Sequence, residues 1–309
     1  MIRCLRLLVR PHRYLAGLCL TLAPSLAGAQ SLEPRLYLPL PVGWNALVAT
    51  YSHSYGDVVV DGTLPIEDVN VTTNTGIAAF ARAFSLFGRS AQVQAVVPFV
   101  KGTVEGTVSG QDTVRHLKGF ADPQLRLAFN LAGAPARRRE QLAGVRFGTI
   151  VGGSLVVTAP LGDYDSDRLV NISAHRWSVK PELAVIEPLG SGWFLEGYSG
   201  VWLFGDNSEY AGTSIVSQDP LWTFQAHLIH LFGRTVWLAL DGTFVTGGTT
   251  SVDGVPQNTF QSNSRFGATG AWALGGGHSL KASFSSGVFT RVGGEFDVFA
   301  VSYQYGWVN

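Results

Sequence analysis

Apolar and polar positions alternate with a period of two over most of this chain, the spacing that places successive side chains on opposite faces of a β-strand. Val236, Leu238, Leu240, Gly242 and Phe244 share one face, and Thr235, Trp237, Ala239, Asp241 and Thr243 share the other. Leu125, Leu127, Phe129 and Leu131 likewise stand opposite Gln124, Arg126 and Asn130. Trp177, Val179, Leu183 and Val185 oppose Arg176, Lys180 and Glu182, while Trp193, Leu195 and Val201 oppose Glu196 and Tyr198. A buried sandwich strand rarely carries Arg, Lys and Glu at alternate mid-strand positions. A barrel with lipid outside and a polar interior requires that pattern.

The alternation predicts about twelve strands, near 43–57, 70–86, 89–102, 119–131, 144–160, 174–188, 192–205, 219–231, 234–246, 262–274, 278–290 and 294–306. An even count returns both termini to one side, the periplasmic side in bacterial single-chain barrels. Connections after the second, sixth, eighth and tenth strands are tight and glycine-bearing: Phe87-Gly88-Arg89, Leu189-Gly190-Ser191-Gly192, Phe232-Gly233-Arg234 and Gly275-Gly276-Gly277. Those after the odd-numbered strands are longer and polar, as in Gly162-Asp163-Tyr164-Asp165-Ser166-Asp167. Short turns at one end and long loops at the other are the outer-membrane asymmetry. Two connections depart from it: a long basic turn holding Arg137, Arg138 and Arg139, and a short outer loop at Val292-Gly293-Gly294. The proline-rich stretch from Pro34 to Pro41 leads into the first strand or tucks into the periplasmic mouth.

The amino terminus supplies the route to that membrane. Arg3, Arg6, Arg10 and Arg13 precede an apolar stretch from Tyr14 to Leu26, and Ala27-Gly28-Ala29 then offers an A-x-A cleavage pattern. Residues 1–29 therefore read as a secretory signal peptide, and 30–309 as a single barrel domain. Both cysteines, Cys4 and Cys19, lie in the signal, which removes disulfides, thiolate metal sites and thiol catalysis from the mature protein. The whole chain has 22 basic and 22 acidic residues, and four of the arginines leave with the signal. The acidic excess that results argues against nucleic-acid binding. No window after the signal is long and apolar enough for a transmembrane helix.

By strand parity the lumen-lining set comprises Arg126, Arg176, Lys180, Glu182, Glu196, Tyr198, Gln225, His227, Asp241, Arg265 and Lys281, with Gln94 and Asn130 beside them. Charges of both signs predict charge-assisted hydrogen bonds across the interior rather than a filter of one sign. Phe194, Tyr198, Trp202, Tyr51 and Tyr55 are expected on the inner face as a path for apolar or aromatic solutes. Asp163, Asp165 and Asp167 have the spacing that starts a calcium loop, but Arg168 and Ala174 stand where such a loop needs Gly and Glu. No metal or cofactor is expected, and no catalytic residues are assigned. His227 or His53 could serve a hidden serine hydrolase only with partners that the sequence does not supply.

Six segments in order carry a resemblance: Leu64-Pro65-Ile66-Glu67-Asp68-Val69, Gly119-Phe120-Ala121-Asp122-Pro123-Gln124-Leu125-Arg126, Ala159-Pro160-Leu161-Gly162-Asp163-Tyr164, Arg176-Trp177-Ser178-Val179-Lys180-Pro181-Glu182, Gln218-Asp219-Pro220-Leu221 and Asn263-Ser264-Arg265-Phe266-Gly267. Together they resemble the outer-membrane proteins of the meta-pathway of phenol degradation family, over about Pro41 to Trp307. The resemblance implies a barrel associated with uptake of aromatic compounds and carries over no catalytic residue. The carboxyl end departs from the pattern, because Trp307 is followed by Val308 and Asn309.

The expectation is thus an all-β protein, an antiparallel transmembrane β-barrel in the outer membrane of a Gram-negative bacterium. It would passively admit a small-molecule solute, aromatic or hydrophobic. Its other partners would be outer-membrane lipid, lipopolysaccharide and the barrel-assembly machinery. The alternatives are a plugged surface barrel without transport and an outer-membrane hydrolase.

Overall fold

The computed structural model describes residues 32–59, 66–108, 110–142, 145, 147–168 and 170–309; the expected signal peptide lies outside the described residues. Seventeen strands and one helical turn follow in order: β1 (Trp44–Val59), β2 (Ile66–Leu86), β3 (Arg89–Val108), β4 (Gln111–Phe120), β5 (Gln124–Ala132), α1 (Arg139–Leu142), β6 (Ile150–Thr158), β7 (Ser178–Gly190), β8 (Trp193–Phe204), β9 (Asn207–Tyr210), β10 (Ser214–Gln218), β11 (Leu221–Phe232), β12 (Val236–Gly247), β13 (Thr250–Val252), β14 (Val255–Pro256), β15 (Gln261–Gly275), β16 (His278–Phe289) and β17 (Gly293–Val308). Neighbouring strands of the main sheet pair antiparallel, and β1 bonds both β2 and β17, which closes it. β4 and β5 lie end to end along β3 and make one stave, so the wall is a closed barrel of twelve staves. Closure leaves no unpaired sheet edge for lipid to solvate, the condition for spanning a bilayer with strands.

Alternation positions the side chains as the pattern requires. On β12, Leu238, Leu240 and Phe244 are exposed, and Ala239, Asp241, Thr243 and Val245 are buried. On β8, Leu195 and Leu203 face outward while Glu196, Tyr198 and Trp202 face inward. Outward Leu125, Leu127, Leu183, Phe266 and Phe284 extend the apolar belt around the barrel. In water such a surface would be an aggregation site; in lipid it is the buried face.

The tight turns lie at one end, and the chain enters and leaves the barrel there, where Asn309 N donates to Gly43 O. Phe87 and Gly88 have φ of 51° and 76°, the left-handed pair of a two-residue hairpin turn. The opposite end is built up unevenly. β2 and β3 run 21 and 20 residues, about twice the length a tilted strand needs to cross a bilayer.

Several expectations need correcting. The stretch 103–118, read as an outer loop, continues the β3–β4 hairpin, because Val104, Thr103, Thr107 and Val114 keep the strand pattern going. The stave expected at 119–131 breaks between Phe120 and Gln124, where Pro123 has no N–H to offer a ladder. The strand expected from 144 begins at Ile150, and that expected from 174 begins at Ser178. The connections after β8 and β12, at the end away from the tight turns, fold into a second, four-stranded sheet of β9, β10, β13 and β14. Tyr51 and Tyr55 point outward, 52% and 51% exposed. Inward positions on β1 are the even ones, as Thr50 shows by bonding Ser302 across the barrel seam. The two tyrosines instead bond surface partners, Asn74 and Asp297, as amphipathic rings of an interface girdle do.

Candidate functional site

The interior of the barrel holds the candidate site. Segment 32–43 cannot join the sheet, since Pro34, Pro39 and Pro41 break the ladder of donors a strand needs. It runs instead inside the barrel, touching the wall from β3 round to β15. Its leucines and Tyr37 pack on the apolar foot of the lumen, formed by Ala128, Ile150, Ala184, Ile186 and Tyr198. Tyr37 meets Tyr198 edge-on at 5.2 Å. Two wall glycines receive it. A Cβ on Gly152 would lie 2.5 Å from the Tyr37 ring, and one on Gly267 2.5 Å from Leu32 Cδ1. Glycine inside a strand is the mark of such a close approach.

The polar wall answers this segment group by group. Arg126 on β5 donates to the Glu33 carboxylate. Tyr37 donates to Glu182 Oε1 at 2.8 Å, with Ser154 Oγ 2.9 Å away. The Arg35 amide donates to Glu196 Oε2 at 2.8 Å, and the Arg35 guanidinium lies 5.3 Å from the Trp237 ring centre. Asn130 and Gln92 donate to the carbonyls of Tyr37 and Leu36. Burial pushes the Glu33 carboxyl up, but the charges of Arg126 and Lys180 more than offset it and hold its pKa at about 2.

Several of the remaining inner groups pair within the wall. Lys180 and Glu182, two residues apart on β7, share a 2.8 Å ion pair and are both buried. His227 Nδ1 lies 2.7 Å from Asp241 Oδ1, and Asp241 Oδ2 accepts from Thr269 Oγ1 at 2.6 Å. Tyr198 donates to Glu196, its neighbour two positions along β8. Arg265 donates to Ser285 Oγ and to the Phe296 carbonyl, both at 2.9 Å. Near the outer end Arg176 donates to Gln218 and lies 4.7 Å from the Phe204 ring centre.

Arg126, Lys180, Glu182, Glu196, Tyr198, Gln225, His227 and Asp241 thus come together on one arc of the wall. Arg265 stands beyond it toward β16 and β17, Arg176 at the outer mouth, and Lys281 half-buried on β16. Ser154, Thr269 and Phe204 are short or apolar side chains, and no charge singles them out in the sequence. The destination of Glu33, Arg35 and Tyr37 is likewise set by the fold, not by any local pattern. The glycines at 152 and 267 were the available signal, because each interrupts an otherwise full-sized strand face.

The aspartates of the loop between β6 and β7 are hydrogen-bond anchors. Asp163 accepts from Phe120 N at 2.6 Å, an approach that the missing side chain of Gly119 allows. Asp165 pairs with Arg168, and Asn171 bonds the loop backbone around it. Asp122 accepts from Gly162, Ser173 and Ala174, which folds the loop over the mouth. There Val170 and Ile172 pack on Val58, Val69, Val71, Val104, Leu117 and Phe296.

The family described as putative MetA-pathway of phenol degradation matches residues 52–305. No curated protein matches the chain in sequence. Among solved structures, the COG4313 outer membrane channel from Pseudomonas putida F1 is 21% identical with a TM-score of 0.76, covering 90% of this chain and 100% of that one. The transport unit of the autotransporter AIDA-I from Escherichia coli is 10% identical with a TM-score of 0.52, over 92% of this chain and 95% of that one. The beta domain of the Bordetella autotransporter Brka is 14% identical with a TM-score of 0.51, over 84% and 98%.

Proposed function

The chain belongs to the putative MetA-pathway of phenol degradation family, and on that premise we propose that it is an outer-membrane channel for passive entry of small aromatic or hydrophobic solutes, closed at rest by segment 32–43. The observation that carries the reading is how the interior is filled. A barrel closed for structural reasons fills its lumen with side chains of its own wall. Here the foot of the lumen is filled by a chain segment joined to the barrel at β1, and Arg126, Glu182 and Glu196 bond that segment. A segment held by a few hydrogen bonds and apolar contacts can leave without breaking the barrel ladder. The lumen-lining role of Arg126, Arg176, Lys180, Glu182, Glu196, Tyr198, Gln225, His227, Asp241, Arg265 and Lys281 is part of this proposal.

The rest of the assignment follows from the same reading. Cleavage after Ala29 would release the barrel domain 30–309 into the periplasm, the assembly machinery would insert it, and both termini would face the periplasm. Lipid and lipopolysaccharide would meet the outer belt. No step in this reading requires chemistry from the chain, and diffusion down a gradient supplies the driving force.

Planar-bilayer recording of the wild type and Arg126→Ala tests it, with liposome uptake of aromatic solutes alongside. The wild type should conduct in brief openings, and Arg126→Ala should stay open for longer. Absence of both conductance and uptake in the two proteins would sink the reading in favour of a plugged surface barrel.

A further inference from the structure

The inner face of β8, β11 and β12 carries hydrogen-bonding atoms that meet no partner within the protein. They are Trp202 Nε1 and Glu196 Oε1 on β8, Thr223 Oγ1, Gln225 Oε1 and His227 Nε2 on β11, and Thr243 Oγ1 on β12. All six side chains are more than nine-tenths buried. The register makes them one row. Gln225 lies opposite Thr243, and His227 lies opposite Glu196. Thr223, Gln225 and His227 are successive inward positions of β11, about 7 Å apart along the strand. Elsewhere some comparable groups do find protein partners, as Thr50 does with Ser302 and Ser285 with Arg265, and the unpaired Asn130 Oδ1 and Thr158 Oγ1 stand on other strands, β5 and β6. Unpaired buried polar atoms are few in native proteins and each is costly, so a contiguous row on one wall calls for a partner from outside the chain.

The chemistry of the row is ordered. At the outer end Trp202 Nε1 can only donate, and its ring stacks with Phe204 at 6.4 Å. The Lys180 ammonium near that ring is neutralised by Glu182. Deeper in, the row accepts. Gln225 Oε1 and Glu196 Oε1 are oxygens, and the His227 tautomer that donates through Nδ1 to Asp241 has its lone pair on Nε2. Thr223 and Thr243 hydroxyls can turn either way between the two regions. A hydroxyl hydrogen is welcome at each of the inner positions, whereas a carboxylate meets the lone pairs of that region and the Glu196 charge, with only the uncharged donors of Thr223, Thr243 and the Gln225 amide to offset them.

We propose that this row is the solute track of the channel, and that it selects small uncharged solutes bearing hydroxyl hydrogens over carboxylate anions. Trp202, packed on Val156, Leu221 and Val245, offers its indole N–H at the entrance. The inference rests on the channel reading above and names the specificity of that same lumen.

The test is calorimetric titration of the purified full barrel in detergent at pH 8, with catechol and benzoate as rings of similar size. Catechol should bind saturably, and about fivefold or more weakly in Thr223→Val and Gln225→Leu, the effect of one lost hydrogen bond. Thr50→Val, on the far wall, should bind catechol as the wild type does, and benzoate should show no saturable site. Heat-shifted gel mobility establishes that each variant is folded, and Trp202→Phe replaces any that is not. Equal binding of benzoate, catechol binding untouched by the folded variants, or no saturable binding at all would overturn the track and leave the row to water. Bilayer conductance is scored separately: a conducting protein without this discrimination refutes the track alone, and a non-conducting one refutes the channel.

Discussion

Glycine at 152 is the most economical handle on the closed state. A methyl there presses chiefly on Tyr37, whose ring would lie 2.5 Å from the new Cβ, with Asn130 Oδ1 next at 3.1 Å. Gly152→Ala should therefore loosen segment 32–43 while leaving the β5–β6 ladder intact, and single-channel recording should show several-fold longer openings than in the wild type. Glu33 sets a second limit on the same segment. It precedes the spanning strands, and its pKa is held at about 2, below the ordinary 4.5. The sign follows directly. A depressed carboxylate stabilises the docked segment above about 4.5, and that stabilisation is lost as pH falls toward about 2. Conductance should stay level from neutrality down to about 4.5 and rise only with further acidification; a rise confined to the neutral range would show that Glu33 is not the latch. At this scale the sequence was legible where charge sat in mid-strand. Parity alone put Arg126, Lys180, Glu182, Glu196 and Asp241 inside, since lipid admits none of them. It failed for Tyr51 and Tyr55, because a tyrosine is at home on either face near an interface.

Strands long enough to show several alternations were legible as elements, and shorter ones were not. β8, β11 and β12 emerge close to their expected bounds because apolar or small side chains alternate with buried polar ones along them, as Leu195 and Leu203, Trp222 and Phe224, and Leu238, Leu240 and Phe244 show. β9, β13 and β14 hold four, three and two residues, too few for a period to register. β9 pairs with β10 and β14 with β13 within short hairpins, and only the β10–β13 ladder joins the two loops, a pairing that no local pattern records. Orientation of the long strands can be checked by substitution. Leu240→Arg places a cation on the lipid face of β12, midway along a strand whose opposite face is polar. It should cost about 2–4 kcal/mol in denaturant unfolding from vesicles. Leu240→Phe, which keeps the outer face apolar, should fall within about 1.5 kcal/mol of the wild type. Equal effects from the two would mean that this face does not meet lipid.

The whole molecule joins two structures of unequal strength, a barrel closed by backbone ladders and an internal segment held by side chains. The ladders run without interruption from β1 round to β2, and none of them uses residues 32–41. Deleting 32–41 should therefore leave the barrel folded, with its heat-shifted gel mobility preserved. The deletion would uncover Arg126, Glu182 and Glu196, which lose their partners on the segment and take water instead. It would also strip Leu36, Tyr37 and Leu38 from the apolar foot of the lumen. Some thermal stability should go with them, because buried apolar area is lost and only part of the polar loss is repaired by hydration. Conductance should rise and its openings become continuous. The combination is diagnostic. A plugged barrel whose interior is closed by wall side chains would lose stability on the same deletion without gaining conductance, whereas a gated channel must show both changes together.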